Sequence, residues 1–362
     1  MSDESAGTNQ YAALIRAGQL AGQEITGIDL HGALCAGSDL RECAFLEVTL
    51  AGAMLAGVDL SSAALQDCDL SMADLSNVTA TRIKVLSSLC KGTVGYRAML
   101  DDAVFSESDL SRADLRRASL ARAVMTNCLA AELCLRGASL AQSALTGAVL
   151  SRAVLTGSNF NGASMTAVLL EHAEAAGTDF TGAIIRDSNL ARITAPGSVF
   201  QNGVLANIRA ECADLSRCDF SGATVSVSSF DRATLWQSVL NSSRFAGCSF
   251  EFTDLRSIRA VRSDFSEVSF VGADLRNAQL HQCRLRNADL YWADLMDCEL
   301  IDCDTAGARF PEPVRVTYGP RNVAPPRVVL VPPYRFAATE AEYGRMVSSA
   351  LARDSEPQDT RP

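Results

Sequence analysis

The sequence predicts an all-β solenoid built from square coils of 20 residues, and three observations carry that prediction. From about Leu20 to Phe310 the chain repeats every five residues in one unbroken register. Of the 59 positions at multiples of five, 31 are Leu and 12 are Phe, and the residue two places earlier is Ala, Ser or Cys in 42 of 59. Phenylalanines then recur at four times that period: Phe160, Phe180, Phe200 and Phe220; Phe230, Phe250 and Phe270; Phe245 and Phe265.

A period of five fits neither regular element. On a helix it scatters the leucines around the axis, and on a strand it sends successive ones to opposite faces. The chain must therefore turn between units. If each unit is a short extended piece followed by a corner, the residues at i−2 and i both point inward and four units close a coil. Rings stacked one coil above another at about 4.8 Å account for the phenylalanine columns, because a ring beside a small residue would leave a void.

Units such as Ala113 to Arg117 and Ala288 to Trp292 resemble the Ala-(Asp/Asn)-Leu-X-X pattern of the pentapeptide-repeat proteins over roughly four-fifths of the chain. That resemblance implies a right-handed quadrilateral parallel β-helix with each coil hydrogen-bonded to the next. About 14 to 15 coils would make a rod roughly 70 Å long.

The flanks differ from the repeat. Residues 1–19 read as a polar tail with a short cap helix expected at Tyr11 to Ala17, which would cover the edge of the first coil. After the repeat, 20–310, nine of the ten prolines fall in Pro311 to Pro362. The extension 311–338 is Pro-rich, with short extended segments at Val314 to Tyr318 and Arg327 to Val331 that would blunt the last edge. A Thr-X-X-Glu capping box at Thr339 and Glu342 opens an amphipathic helix, 339–353, whose stripe is Tyr343, Met346, Val347, Ala350 and Leu351. This helix either folds back onto the rod or pairs with its twin in a homodimer, as several bacterial relatives do through their C-terminal ends. Residues 354–362 are expected to be a disordered tail. No signal peptide or membrane span is evident, so the expected compartment is the cytoplasm.

Twelve cysteines raise disulfides or metal, but eight of them (Cys43, Cys68, Cys128, Cys218, Cys248, Cys283, Cys298, Cys303) occupy the small i−2 position. There they act as slightly larger alanines. No Cys-X-X-Cys pair or zinc spacing occurs, and neither a metal nor a cofactor is expected. Cys283 and Cys303 should be neighbours on adjacent coils, although a disulfide there is unexpected in a reducing cytosol.

Catalysis finds little support. His31, His172 and His281 sit on outward offsets many coils apart, and no phosphate-binding Gly loop or nucleophile motif is present. The abundant Asp residues occupy the i−1 slot, where a short polar side chain suits local backbone bonding. The chain is therefore read as a non-enzymatic bacterial binding protein. Scaffold or adaptor stands first, and the resemblance allows a place beside a secretion or effector system. The alternative, also implied by the resemblance, is a DNA mimic that binds DNA gyrase or topoisomerase IV and confers resistance to topoisomerase poisons. A net charge of −10 invites it, although arginines interrupt every acidic stripe. Direct nucleic-acid binding is not expected.

Three sets of residues are candidates for protein contact. Phe252 and Trp292 lie 40 residues apart in one column, with Gly272 between them, Tyr291 adjacent and Trp236 projecting from a neighbouring face. Between Ala80 and Met99 the central residues shrink to Ala80, Val85, Cys90 and Gly95, and both lysines fall here. A protruding loop carrying Lys84, Lys91 and Tyr96, or an ordinary weak coil, would explain that stretch. Finally, Asp289, Asp294, Asp297, Glu299, Asp302 and Asp304 gather near the C-terminal end.

Overall fold

In the computed structural model, which describes residues 20–35 and 37–311, the chain winds into a parallel β-solenoid of about 14 coils. Eleven coils each contribute a three-residue strand at 20-residue intervals, from β1 (Glu24–Thr26) to β11 (Thr224–Ser226), paired in order in one parallel sheet. The last three, β12 (Arg259–Val261), β13 (Gln279–His281) and β14 (Glu299–Ile301), form a second sheet. Partners are always 20 residues apart, as in Leu65↔Val85 and Leu280↔Leu300. The other three sides of each coil are joined by single parallel bridges at the same spacing. Among the described residues no helix is long and apolar enough to cross a membrane.

It is convenient to name four faces by their central residues: first (25, 45, 65…), second (30, 50, 70…), third (35, 55, 75…) and fourth (40, 60, 80…). Most corners are β-turns closed by an i→i+3 bond, for example Ala53 N–H to Leu50 O at 3.0 Å. The third turn residue has left-handed φ at every corner from Gly22 to Gly307, and 40 of those residues are not glycine. This is the type II pattern. An Asp or Asn at i−1 supports it by accepting from the N–H two residues on, as Asp69 does from Ser71 at 2.8 Å and Asp254 from Arg256 at 3.1 Å.

One corner per coil is open, and it is the one that follows each named strand. The strand residue before it is never Asp or Asn, being for example Val104, Val124 and Val204, where many closed corners carry Asp. Without the turn bond its N–H needs another partner, and in several coils a serine hydroxyl one coil up supplies it. Cys68 N–H donates to Ser88 Oγ at 3.0 Å, and Ile208 N–H to Ser228 Oγ at 3.2 Å. The open corner moves from the first face to the fourth between β11 and β12, which is why the strands divide into two sheets.

The core is a ladder of inward i and i−2 side chains. Phe160, Phe180, Phe200 and Phe220 stack at 5.3, 4.9 and 4.7 Å between centroids, and Phe230, Phe250 and Phe270 at 4.9 and 5.6 Å. Phe245 sits edge-on to Phe220, Phe230 and Phe250 and stacks with Phe265 at 5.8 Å. The aromatic columns foreseen in the sequence are thus the core of the C-terminal half.

The stretch Lys84 to Tyr96 makes no protruding loop. Lys84–Leu86 is strand β4, in register with β3 (Ala64–Gln66) and β5 (Val104–Ser106), and the bridges at Leu89, Val94 and Met99 continue on both sides. Its small central residues instead thin the core. An apolar cavity of about 40 Å³ opens there, lined by Leu60, Leu75, Ala80, Val85, Cys90 and Leu100 among others. Leu115 leans into the space above Gly95, its Cδ2 2.6 Å from where a Cβ would stand. The cap helix of residues 11–17 lies outside the described residues, as do the extension after Pro311, the helix with Tyr343, Met346, Val347 and Leu351, and the tail.

Candidate protein-binding face

Four successive coils of the third face, between Trp236 and Met296, bring together most of the aromatic candidates. Phe252 and Trp292 occupy left-handed turn positions at one edge, with φ of 55° and 60°, so the corner throws their side chains outward. They are 40% and 43% exposed. The Phe252 ring lies across Gly272, the corner residue one coil on, and Tyr291 stacks on Trp292 at 4.7 Å. The Arg309 guanidinium sits 4.0 Å above the Tyr291 ring while its Nη1 reaches Asp289 at 3.5 Å.

At the opposite edge stands Trp236, covered by the Arg217 guanidinium at 4.8 Å. The sequence reading placed Trp236 on a neighbouring face. The corner residues Phe252 and Trp292 in fact border the third face, on which Trp236 itself lies, since the turn that carries them leads directly into that side of the coil.

Between these edges runs a charge zipper along the rod. Arg256 bonds Asp254 in its own coil at 2.6 Å and reaches Asp274 in the next at 3.6 Å; Arg276 bonds Asp274 at 2.6 Å and reaches Asp294 at 3.6 Å. Burial pushes the Asp254 carboxyl up, but hydrogen bonds from the Arg256 side chain and backbone outweigh it and hold it below the usual carboxylate range. The same unit at Asp39 and Arg41, partly exposed, lowers the Asp39 pKa to about 2 through the Arg41 side chain and then its backbone N–H. At Met296 an apolar residue replaces the arginine, so the zipper ends on an exposed methionine in the column that also carries Trp236.

The remaining candidates do not gather. Lys84 projects from the first face; Lys91 lies on the second, 3.4 Å from Asp109; Tyr96 lies on the third, with Arg97 over its ring at 5.1 Å and Arg117 at 3.4 Å from its hydroxyl. The acidic residues ring the end of the rod. Asp289 is on the second face, Asp294 on the third and Glu299 on the fourth, 3.0 Å from His281. Asp297 and Asp302 are at corners, with no ion-pair partner among the described residues. They are not one patch.

Two features escaped the sequence reading. Arg309 covers the aromatic edge and Met296 ends the Trp236 column at the opposite one, and their 20-residue spacing from Asp289 and Arg276 was the available signal. The first face is also nearly uncharged: across the outward positions of β2 (Ala44–Leu46) through β11 only Lys84 and Arg186 carry charge.

The repeat is matched by the family model described as pentapeptide repeats (8 copies), over residues 25–61, 45–79, 98–128, 134–171 and 263–310. No curated protein matches the chain. Among solved structures, the chain is similar to HetL, a pentapeptide repeat protein involved in heterocyst differentiation regulation from the cyanobacterium Nostoc sp. strain PCC 7120. The identity is 24%, covering 84% of this chain and 97% of that one, with a TM-score of 0.23. A pentapeptide repeat protein from the Arabidopsis thaliana thylakoid lumen is 26% identical over 27% of this chain and 66% of its own, with a TM-score of 0.22. Full-length QnrB1, a plasmid-mediated fluoroquinolone resistance protein, is 21% identical over 64% of this chain and 91% of its own, with a TM-score of 0.24. The family model matches coils near both ends, and the same five-residue geometry runs unbroken between them; the chain belongs to the pentapeptide-repeat family.

Proposed function

We propose that the chain is a non-enzymatic scaffold or adaptor that binds another protein through the C-terminal half of its third face. The observation that carries this reading is the exposed aromatic edge of Phe252, Tyr291 and Trp292, set beside the Asp254 to Asp294 zipper on a rigid rod. Aromatic anchors rimmed by charge are the composition of interface hot spots, and a surface held by ladder hydrogen bonds loses little entropy on binding. A partner protein offering an apolar pocket and a mixed-charge rim fits this surface. The finer reading is an adaptor within a secretion or effector assembly, with the partner one of its components.

Net charge favours a second reading, a DNA mimic that occupies gyrase or topoisomerase IV. Its weakness is that the carboxylates of the third face are held by arginines, which cancels much of the potential a DNA-like surface needs. The test is affinity capture with the full chain, a Phe252→Ala/Trp292→Ala variant and an Arg152→Ala control. A partner retained by wild type and control but lost by the double variant is expected, and identical partner sets would refute the aromatic edge. Inhibition or protection of gyrase supercoiling at micromolar protein, unchanged in the double variant, would favour the second reading.

A further inference from the structure

We propose that Cys283 and Cys303 are an oxidisable thiol pair, converted by a peroxide into a disulfide that staples the last coil of the rod to the one beneath it. Both are free thiols here, and of the twelve cysteines these are the only two that stand 20 residues apart. They therefore occupy the same inward position on adjacent coils, locked in register by the Asp304 N–H to Cys283 O bond at 2.9 Å and the Arg284↔Asp304 bridge. Neighbouring strands at about 4.8 Å lie inside the Cα window of a disulfide. Each thiol donates to a carbonyl one coil below, Cys283 Sγ to Ala260 O at 3.2 Å and Cys303 Sγ to Leu280 O at 3.1 Å, which holds the two sulfurs in the same setting on adjacent coils.

Burial separates their roles. Cys283 is buried, whereas Cys303, on the last described coil, is only partly covered and is the sulfur that solvent-borne oxidant meets first. The neighbouring Cys283 thiol pulls the Cys303 thiol below its ordinary range against the opposing effect of burial, which favours Cys303 as the thiolate. That thiolate attacks a peroxide oxygen, the O–O bond breaks, and hydroxide leaves as Cys303 becomes the sulfenic acid. The Cys283 sulfur then attacks the Cys303 sulfur; the S–OH bond breaks, the S–S bond forms and water leaves with the Cys283 proton. Two thiols and one hydrogen peroxide thus give one disulfide and two waters. Side chains on parallel neighbours point the same way, so the Cβ atoms start about 4.8 Å apart, a little beyond the usual disulfide range, and the bond closes with a small inward shift that leaves it readily reversed by thiols.

The consequence falls on the end of the rod. Inward residues of the final coil, Cys303, Ala308 and Phe310, are only partly buried, unlike those of the coils below, and a 20-residue covalent loop holds that coil against fraying.

The test treats the full chain with hydrogen peroxide, alkylates remaining thiols and maps peptides without reduction, with circular dichroism confirming that the fold persists. A Cys283–Cys303 linked peptide is expected. Dithiothreitol should release it, Cys303→Ser should abolish it, and exchange of the β14 amides should slow about tenfold while it is present. Serine is tolerated in this column, as Ser263 shows one coil below Cys283. Oxidation confined to the exposed Cys212, or Cys303 carried to the sulfinic acid with no link, would overturn the proposal. So would a link formed equally well in guanidinium-unfolded chain.

Discussion

The Phe252 ring stands 2.7 Å from the point where a Cβ on Gly272 would sit, so the glycine one coil on is what lets the aromatic lie flat along the rod. Gly272 also has a φ of +65°. Replacing it with alanine adds a left-handed Cβ, costing about 1 to 2 kcal/mol, and forces the ring off its seat. Gly272→Ala is expected to lower the melting temperature by about 2 to 4 °C and to weaken partner capture as Phe252→Ala does. A variant with wild-type stability and capture would show that the ring has another resting place.

Corner strain makes a second prediction independent of any partner. Val227 is a β-branched residue at φ 50°, and its side chain is 73% exposed, so nothing packs against it to justify the conformation. Val227→Gly relieves the strain and is expected to stabilise the rod by about 1 kcal/mol. Gly177, at an already glycine corner with open space around it, gives the reciprocal control: Gly177→Val should destabilise by a similar amount. Thermal melts of the two variants check both signs.

Buried serines divide into two kinds. Ser88 Oγ accepts from Cys68 N–H at 3.0 Å and donates to Leu86 O at 2.7 Å, closing the hydrogen bonding of an open corner, whereas Ser143 Oγ is buried with no partner. Ser88→Ala strands a buried N–H and is expected to cost about 1 to 3 kcal/mol; Ser143→Ala removes an orphan and should be neutral or stabilising. Denaturant unfolding of the two variants, with hydrogen exchange at the coils concerned, tests the contrast.

What the sequence revealed follows from what a five-residue period can encode. Inward positions are selected for volume, so Leu, Phe and Ala at i and i−2 announce the coil and even its phenylalanine columns. The open corner is written more faintly, in Val104, Val124 and Val204 where many closed corners have Asp, and it becomes legible only once the Asp69 to Ser71 bond shows what the aspartate does. Lys84 to Tyr96 misled because small central residues signal either a loop or a void, and the count of five is the same for both. The binding face was half legible. Columns give which residues stack, as Phe252 over Gly272, but only the coil geometry shows that Trp236 shares their side and that Arg256 and Arg276 already occupy the carboxylates between them.

The void gives the fourth prediction. Ala80 lines the cavity between Leu60 below and Leu100 above, in a column where leucine is the ordinary occupant. Ala80→Leu fills apolar space without new polar burial and is expected to stabilise by about 1 to 2 kcal/mol. Cavity space of about 40 Å³ is less than a full isobutyl group needs, so Leu115 and Val85 must adjust, and Ala80→Val is the smaller step. Stabilisation by valine alone would show that the walls do not give; destabilisation by both would show that the space is not fillable from this column.

Acid titration tests the zipper. The Asp39, Asp114 and Asp254 carboxyls are held below their ordinary values, mainly by arginine hydrogen bonds, with burial opposing them and strongest at Asp254. A folded pKa below the unfolded one means the unfolded chain binds protons first as pH falls. The stabilisation is therefore complete above the unfolded value near 4 and is lost on descending toward the folded values, about 2 for Asp39. Because these pairs are solvent-exposed, each contributes little and salt screens it. Arg256→Gln/Arg276→Gln is expected to melt about 1 to 3 °C below wild type at pH 7 and low salt, with the gap closing by pH 2 or in 1 M salt. Melting curves at pH 7, 4 and 2 decide it: a gap that persists at pH 2 would mean the arginines stabilise the face by packing their stems between coils, not by charge.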